Sequence, residues 1–495
     1  MSERISRNAV WLAGASAIIL TAIVLRMWGF SLESLDCDEL FSYRVASAPV
    51  HQAVWMIRND VVHPPLYYFL VRASLHAARH VSPLAIRAAS LISGIGTVAL
   101  VASFGFLFPQ LRKAALLAAC LLAFNDLHIY YSQQARSYAF YTLLFACLLA
   151  WSWLIVREFE RLAFWCIGAA LMSLLVYTHY VGALYVACII VAITLSPVAK
   201  SAKFRAWIAG GIAALSFVPW ILAEYGPAHQ HHGVADNLPW ETAPALYDLK
   251  AVWASYLGIP AFPAATTVVL LIGCALIAFG VLHRFREHSP FRRLFLTTLL
   301  VTAFAPPCVL FLVASKPISL PLFGDRHLLP SIISFLLLIA EGAVQFSSMF
   351  GHRRIALAGA AAILVLFEAL PTEATTREEP RRIPFQEIAD QTHQGLPLYT
   401  TWAYGIGATV NFYERGHNRV HNFPADAYDL PPDFLLIFRP GEPAEEQHYK
   451  RLLNLGWHDE RDRDYHGSES GMVVRVAHLE RFEQPAGMRF ADTGD

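Results

Sequence analysis

Charge is what this chain has least of. Only 15% of its 495 residues are Asp, Glu, Lys or Arg, against about 25% in an ordinary soluble domain. Hydrophobic residues make up 56%, which excludes intrinsic disorder and a coiled coil, both charge-rich. Cysteine is scarce too. There are seven, none beyond Cys308 and no CxxC pair, so a disulfide framework and a thiolate zinc site are excluded. Neither sign of charge dominates: 38 basic residues balance 38 acidic ones. That removes any whole-chain case for nucleic-acid binding.

What is abundant is long apolar sequence. A spanning helix needs about 20 mostly apolar residues, and eleven runs approach that length: 9–30, 86–108, 114–127, 138–156, 162–177, 180–198, 206–223, 264–282, 294–314, 328–347 and 355–371. The first follows Arg4 and Arg7 but is long for a signal peptide and has no convincing cleavage site, so it reads as an anchor. Loop charges give the orientation. With the N-terminus cytoplasmic, every cytoplasmic loop is basic: Arg112 and Lys113, Arg157 and Arg161, Lys200 to Arg205, Arg284 to Arg293, Arg353 and Arg354. Short loops on the other side offer only Arg136, Lys316 and Arg326. This is the positive-inside pattern.

Charge also divides the chain. From Thr372 onward there are 21 acids and 13 basic residues, while the preceding part holds 17 and 25. The sequence therefore predicts a membrane domain over 1–371, with a first outer loop at about 31–85, and a water-soluble extracytoplasmic domain over 372–495. Within the tail, Leu396–Thr401, Phe434–Phe438 and Met472–Val476 read as strands, and Gly407–Arg415 and Glu445–Leu455 as helices. The expected fold class is an α-helical polytopic membrane protein of about 11 spans with a small C-terminal α/β domain.

Polar groups collect on the outer side. The first loop opens with Leu35-Asp36-Cys37-Asp38-Glu39-Leu40-Phe41, three carboxylates within four residues. A helix start, with Asp38 as N-cap and Glu39 in the first turn, explains them; so does a general base at the mouth of a membrane cavity. His63-Pro64-Pro65-Leu66-Tyr67-Tyr68 follows, where two prolines fix an extended entry into a helix. Next come Ala135-Arg136-Ser137-Tyr138-Ala139, Thr178-His179-Tyr180 and Asp325-Arg326-His327-Leu328. Arg136 suits either snorkelling to lipid or pairing with a substrate phosphate. His229-Gln230-His231-His232 near Glu224 invites a metal, but adjacent loop histidines have no fixed ligand geometry. Glu341 and Glu368 sit within apolar runs as candidate structural groups.

Taken in order, these strings resemble the polyprenyl-phosphate-sugar glycosyltransferases of the GT-C superfamily, the branch of protein O-mannosyltransferases and the lipid A aminoarabinose transferase (family 39 type). The Asp38-Glu39 pair is similar to that family's catalytic motif, and HPPLYY at 63–68, ARSYA at 135–139, THY at 178–180 and RHLLP at 326–330 to its recurrent patterns. Asp36 adds a competing carboxylate, and the first-loop cation that some relatives direct at phosphate has no clear counterpart. The resemblance implies a donor sugar carried on a polyprenyl phosphate, a lipid, glycan or protein acceptor, and inverting transfer at the outer face of a bacterial inner membrane. It makes Asp38 and Glu39 catalytic, and His63, Tyr67, Arg136, Tyr138, His179, Arg326 and His327 substrate-binding. It names no certain cofactor and leaves a divalent metal open. The competing reading is a secondary transporter or flippase of a lipid-linked substrate, a class that often shows internal repeats and polar midplane groups. This chain has no evident repeat, and its polar residues gather at one surface.

Overall fold

The computed structural model describes residues 2–28, 30, 34–230, 243–258, 263–285, 289–315, 322–349, 384–392, 395–401, 408–414, 419–424, 429–466 and 473–481. Two compact units emerge: Met1–Trp28 with Ser42–Thr376, and Gly29–Phe41 with Arg377–Asp495.

The first unit is helical. It contains α1 (Ser2–Met27), α2 (Cys37–Ser47) from Ser42 onward, α3 (Val50–Asp60), α4 (Leu66–Ala78), α5 (Pro83–Leu107), α6 (Arg112–Phe124), α7 (Asp126–Ser132) and α8 (Tyr138–Glu158). It continues with α9 (Leu162–Thr178), α10 (Gly182–Leu195), α11 (Lys200–Gln230), α12 (Leu246–Ser255), α13 (Pro263–Phe285), α14 (Pro290–Ala314), α15 (Asp325–Leu328) and α16 (Ser331–Met349). Among the described residues six helices are long and apolar enough to cross a membrane: α1, α5, α8, α11, α14 and α16. The bent pair α6–α7 makes a seventh if taken as one span. The chain is a multi-pass membrane protein. Ten of the eleven apolar runs coincide with helices, and the run 355–371 lies outside the described residues. Eleven spans and six or seven differ mainly through length: α9 has 17 residues and α10 has 14, short of the ~20 a bilayer needs.

Three local devices shape this unit. The first is the α6–α7 break, a 66° bend. A helix end inside a membrane leaves carbonyls without partners. Here the guanidinium of Arg26, fully buried, donates to Leu122 O and Ala123 O at 3.1 Å each. On the other side of the break, Asn125 Oδ1 accepts from His128 N at 2.9 Å and caps α7. The second device repairs α14. Pro306 has no N–H to give to Thr302 O, four residues earlier, and the Ser331 hydroxyl donates to that carbonyl at 2.7 Å. The third is a close crossing of α13 and α16: a Cβ on Gly342 would lie 2.1 Å from Leu276 O, and one on Gly280 would lie 2.8 Å from Gly342 Cα. Small residues let membrane helices approach backbone to backbone.

The second unit holds a five-stranded sheet. Its elements are α17 (Phe385–Thr392), β1 (Leu398–Thr400), α18 (Ala408–Glu414), β2 (Val420–Asn422), β3 (Asp433–Phe438), α19 (Pro443–Asn454), β4 (Trp457–His466) and β5 (Val473–Arg481). Strand order is β2-β1-β3-β5-β4, parallel between β1 and its two neighbours and antiparallel elsewhere. β3 is central and reads Asp-Phe-Leu-Leu-Ile-Phe, the continuous apolar run of a strand buried on both faces. Phe385, Ile388 and Val410 pack with Leu435 and Ile437 on one face; Leu452 packs with Phe434, Leu436 and Trp457 on the other. The expected α/β tail is present. The segment before α2 belongs with it: Leu35 N donates to the Tyr413 hydroxyl at 2.7 Å, and Gln386 N to Ser34 Oγ at 3.3 Å.

Candidate functional site

Four short stretches of the helical unit bring cationic and aromatic side chains together. His63 lies in the link between α3 and α4, two residues after Val61, a β-branched residue at φ 56 that ends α3. Arg136 lies in the turn before α8, His179 at the end of α9, and Arg326 and His327 on α15. Arg136 Nη2 donates to His63 Nδ1 at 3.3 Å, His327 Nδ1 sits 3.1 Å from His179 Nε2, and Arg326 Nε points at His327 Nε2 at 3.3 Å. The His63 and His179 rings are 5.4 Å apart and those of His179 and His327 5.1 Å, with Tyr138 within about 6 Å of all three. His63, Arg136, Tyr138, His179 and His327 are all buried. Arg136 is therefore inside the cluster rather than snorkelling to lipid.

The environment keeps the imidazoles neutral. Burial pushes the His63 and His327 pKa values well below the ordinary histidine range and lowers His179 to about 3. The nearby Arg136 and Arg326 charges add to the effect. Asp325 moves the other way, raised by burial while contacts from Arg326 and Tyr131 oppose the rise.

The three contacts cannot all be hydrogen bonds between neutral rings. Val181 N–H donates to His179 Nδ1 at 3.2 Å, so that nitrogen is bare. Arg326 Nε–H can only donate, so His327 Nε2 is bare whenever that contact is a hydrogen bond. Both neutral rings would then carry their protons on the two nitrogens that face each other. One contact must yield. The longer 3.3 Å approach of Arg326, on the more flexible side chain, is the one that yields most easily.

Supporting residues fix the cluster. Tyr67 hydroxyl and Ser90 Oγ are 2.6 Å apart, and Ser90 donates to Arg136 O at 3.0 Å; Tyr67 thus braces the Arg136 backbone. Tyr141 stacks on His179 at 4.9 Å, and the Tyr131 hydroxyl donates to Asp325 Oδ1 at 3.3 Å. Reasoning from sequence left out Tyr131, Ser137, Tyr141 and Asp325. All four flank or fall within the strings that carried the family likeness, which is the signal that was there to use.

Asp38 and Glu39 belong to the other compact unit. The helix start there differs from the expected one. Asp36, not Asp38, is the cap: Glu39 N donates to Asp36 Oδ1 at 2.7 Å and Asp36 N to Glu39 Oε2 at 3.3 Å. This is a reciprocal capping box with the acid three residues on. It buries Glu39 completely and leaves Asp38, at the second helical position, exposed. Elsewhere, Glu224 accepts from the Tyr180 hydroxyl at 2.5 and 2.6 Å, while His231 and His232 lie outside the described residues. Glu341 accepts from Gln345 Nε2 at 3.1 Å, and Glu368 lies outside the described residues. Among the described residues no group of three or more His, Cys, Asp or Glu is placed to hold a metal ion.

A separate apolar groove of about 460 Å³ runs among α9, α10 and α11, lined by Val176, Val186, Ile190, Trp207, Gly211 and Phe217 among others.

The fold, membrane helices with a small C-terminal α/β unit, is shared with solved membrane proteins. The solved structures it is similar to include ArnT from Cupriavidus metallidurans in the apo state (TM-score 0.55, 13% identity, covering 95% of this chain and 98% of that one). The same protein bound to undecaprenyl phosphate matches at 0.55 with 12% identity and the same coverage. The archaeal oligosaccharyltransferase AglB from Archaeoglobus fulgidus, in complex with an inhibitory peptide and a dolichol-phosphate, matches at 0.51 with 12% identity over 84% of this chain and 65% of that one. At such identities the likeness is one of fold. No family model and no curated protein matches the chain.

Proposed function

We propose that this chain is an integral-membrane glycosyltransferase that moves a sugar from a polyprenyl-phosphate donor to an acceptor hydroxyl at the extracytoplasmic face. The observation that carries the reading is the meeting of Arg136 and Arg326 with three neutral imidazoles in a buried, aromatic-walled cluster. The buried guanidinium of Arg136, with the half-buried Arg326 nearby, suits a phosphate whose negative charge grows as it leaves. Solved proteins of the same fold carry undecaprenyl phosphate and dolichol-phosphate. The groove among α9, α10 and α11 suits the isoprenoid chain, since it is apolar and one wall is α11, long enough to cross a membrane.

In this reading Asp38 is the general base. Its carboxylate faces solvent, where a water-borne acceptor arrives. It takes the hydroxyl proton as the acceptor oxygen bonds to the anomeric carbon. The bond from that carbon to the phosphate oxygen breaks, and its electron pair leaves with the polyprenyl phosphate. The single displacement inverts the anomeric centre through an oxocarbenium-like transition state. Arg136 and Arg326 take up the developing charge. Tyr138, His179 and His327 shape the donor's sugar-phosphate, Tyr67 braces Arg136, and Glu39 positions Asp38 by fixing the first turn of α2.

The test is transfer by the purified, reconstituted chain from radiolabelled polyprenyl-phosphate sugars to a panel of lipid, glycan and peptide acceptors. Consumption of one donor by the wild type, and its absence in Arg326→Ala, is the expected result. Donor left intact across the whole panel would return the weight to a transporter.

A further inference from the structure

Residues 29–41 fold with the soluble unit, although they directly follow α1, an apolar helix long enough to cross a membrane. Two hydrogen bonds join them to it. Leu35 N–H donates to the Tyr413 hydroxyl at 2.7 Å, 378 residues away in sequence, and Gln386 N–H donates to Ser34 Oγ at 3.3 Å, 352 residues away. Each meets a need. Leu35 is fully buried, and a buried backbone N–H without a partner is costly. Gln386 lies in the first turn of α17, where N–H groups have no partner within the helix. Ser34 supplies one. The anchors themselves rest on the sheet: Phe385, Ile388 and Val410 of α17 and α18 pack with Leu435 and Ile437 of β3, and Tyr413 packs against the same cluster.

The next residues carry this hold into α2. Asp36 caps the helix through its reciprocal box with Glu39. Leu35 precedes the cap and Leu40 follows the box. Both are buried, and they occupy the positions of a hydrophobic staple, which sets the angle at which a chain enters its helix. Asp38 lies between them with its side chain exposed. Its backbone is fixed by the box on one side and by Tyr413 and Ser34 on the other.

We propose that the soluble unit positions the catalytic base: Tyr413, with Gln386 acting through Ser34, holds the segment that sets Asp38. This role rests on the reading of Asp38 as the base. A catalytic group must be held within about 0.5 Å of its working place, and a shift of about 1 Å costs up to about 10²-fold. The tail is then part of the transfer machinery, and Tyr413 is a positioning residue that touches no substrate.

Tyr413→Phe keeps the ring and removes the hydroxyl. The measurements are kcat with the radiolabelled polyprenyl-phosphate sugar that the wild type consumes, and the dissociation constant of undecaprenyl phosphate, both for the full chain in lipid nanodiscs. Tyr413→Phe is expected to lower kcat by about 5- to 10-fold, as loss of one hydrogen bond does. Undecaprenyl phosphate binding should stay within about 2-fold of wild type. Ser34→Ala should act in the same way, more weakly because its contact is longer. Neither should lower the residual rate of Asp38→Asn any further, because a residue that acts through Asp38 then has no base to position. Amide hydrogen exchange over residues 35–41 should be faster in Tyr413→Phe. An equal loss of rate in the wild-type and Asp38→Asn backgrounds would mean a general structural effect and would overturn the proposal. Full turnover in Tyr413→Phe, unchanged exchange, or a parallel fall in undecaprenyl phosphate affinity would overturn it as well. Wild-type turnover in Asp38→Asn alone would instead remove Asp38 as the base, and this proposal with it.

Discussion

Three imidazoles held neutral against two guanidinium groups make the cluster sensitive to acid. His179 titrates near 3 in the folded chain, against about 6.5 when unfolded, and His63 and His327 are shifted in the same direction. Above both values the two states bind the same protons and pH has no effect. As pH falls below about 6.5 the unfolded chain takes up protons that the folded one refuses, so stability drops. At pH 5 His179 forfeits about 2 kcal/mol relative to pH 7, and His63 and His327 act in the same direction. The unfolding temperature should therefore fall between pH 7 and pH 5, and less steeply in His179→Gln; an equal slope in that variant would contradict the assignment. At Asp38 the expectation concerns rate. A general base is worth about 10²–10⁴-fold, so Asp38→Asn should lose at least about 10² in transfer. Insertion should persist, because Asp36 and Glu39, not Asp38, cap α2. Near-normal turnover would remove Asp38 from the role.

Among the elements, the α6–α7 break determines where Arg136 goes. The bend lets α7 turn aside and lead through Gln133 and Gln134 to Arg136, and Arg26 closes the carbonyls that the bend opens. Arg26→Leu leaves those carbonyls unsatisfied, at a cost of about 3 kcal/mol. Its unfolding temperature and its affinity for undecaprenyl phosphate should fall together; loss of stability with affinity intact would uncouple the break from the site. The α9–α11 groove gives a second expectation. A Cβ on Gly211 meets nothing within 4 Å, so Gly211→Trp should fold normally while filling the groove. It should weaken binding of a long-chain polyprenyl phosphate by about 10-fold and leave a short-chain analogue such as farnesyl phosphate unaffected. Equal affinity for both lengths would place the isoprenoid chain elsewhere.

Over the whole molecule, the features legible in the sequence were those written in repeating apolar pattern. Ten apolar runs lie on helices, and β3 and β5 fall where runs of apolar residues suggested strands. β4, Trp-His-Asp-Glu-Arg-Asp-Arg-Asp-Tyr-His, escaped because an edge strand with most of its residues turned to solvent shows no such run. The grouping of residues 29–41 with the tail escaped too, since it depends on contacts such as Leu35 to Tyr413, 378 residues apart in sequence. Arg26 falls within the apolar run 9–30, and no pattern there signals its role; the broken helix beside it explains its burial. The site residues were legible as short strings, but not their protonation. Tautomers and the choice between donor and acceptor follow from distances of about 3 Å, which no spacing in the sequence records.

The central claim is that Arg136, buried, and Arg326, half-buried, hold a lipid-linked phosphate, and equilibrium binding of undecaprenyl phosphate tests it most directly. The wild-type chain in nanodiscs should bind it saturably. Arg136→Met with Arg326→Met should lose about 100-fold or more, the equivalent of two charge-assisted contacts. Unchanged affinity in the double variant, with the fold intact, would contradict the account.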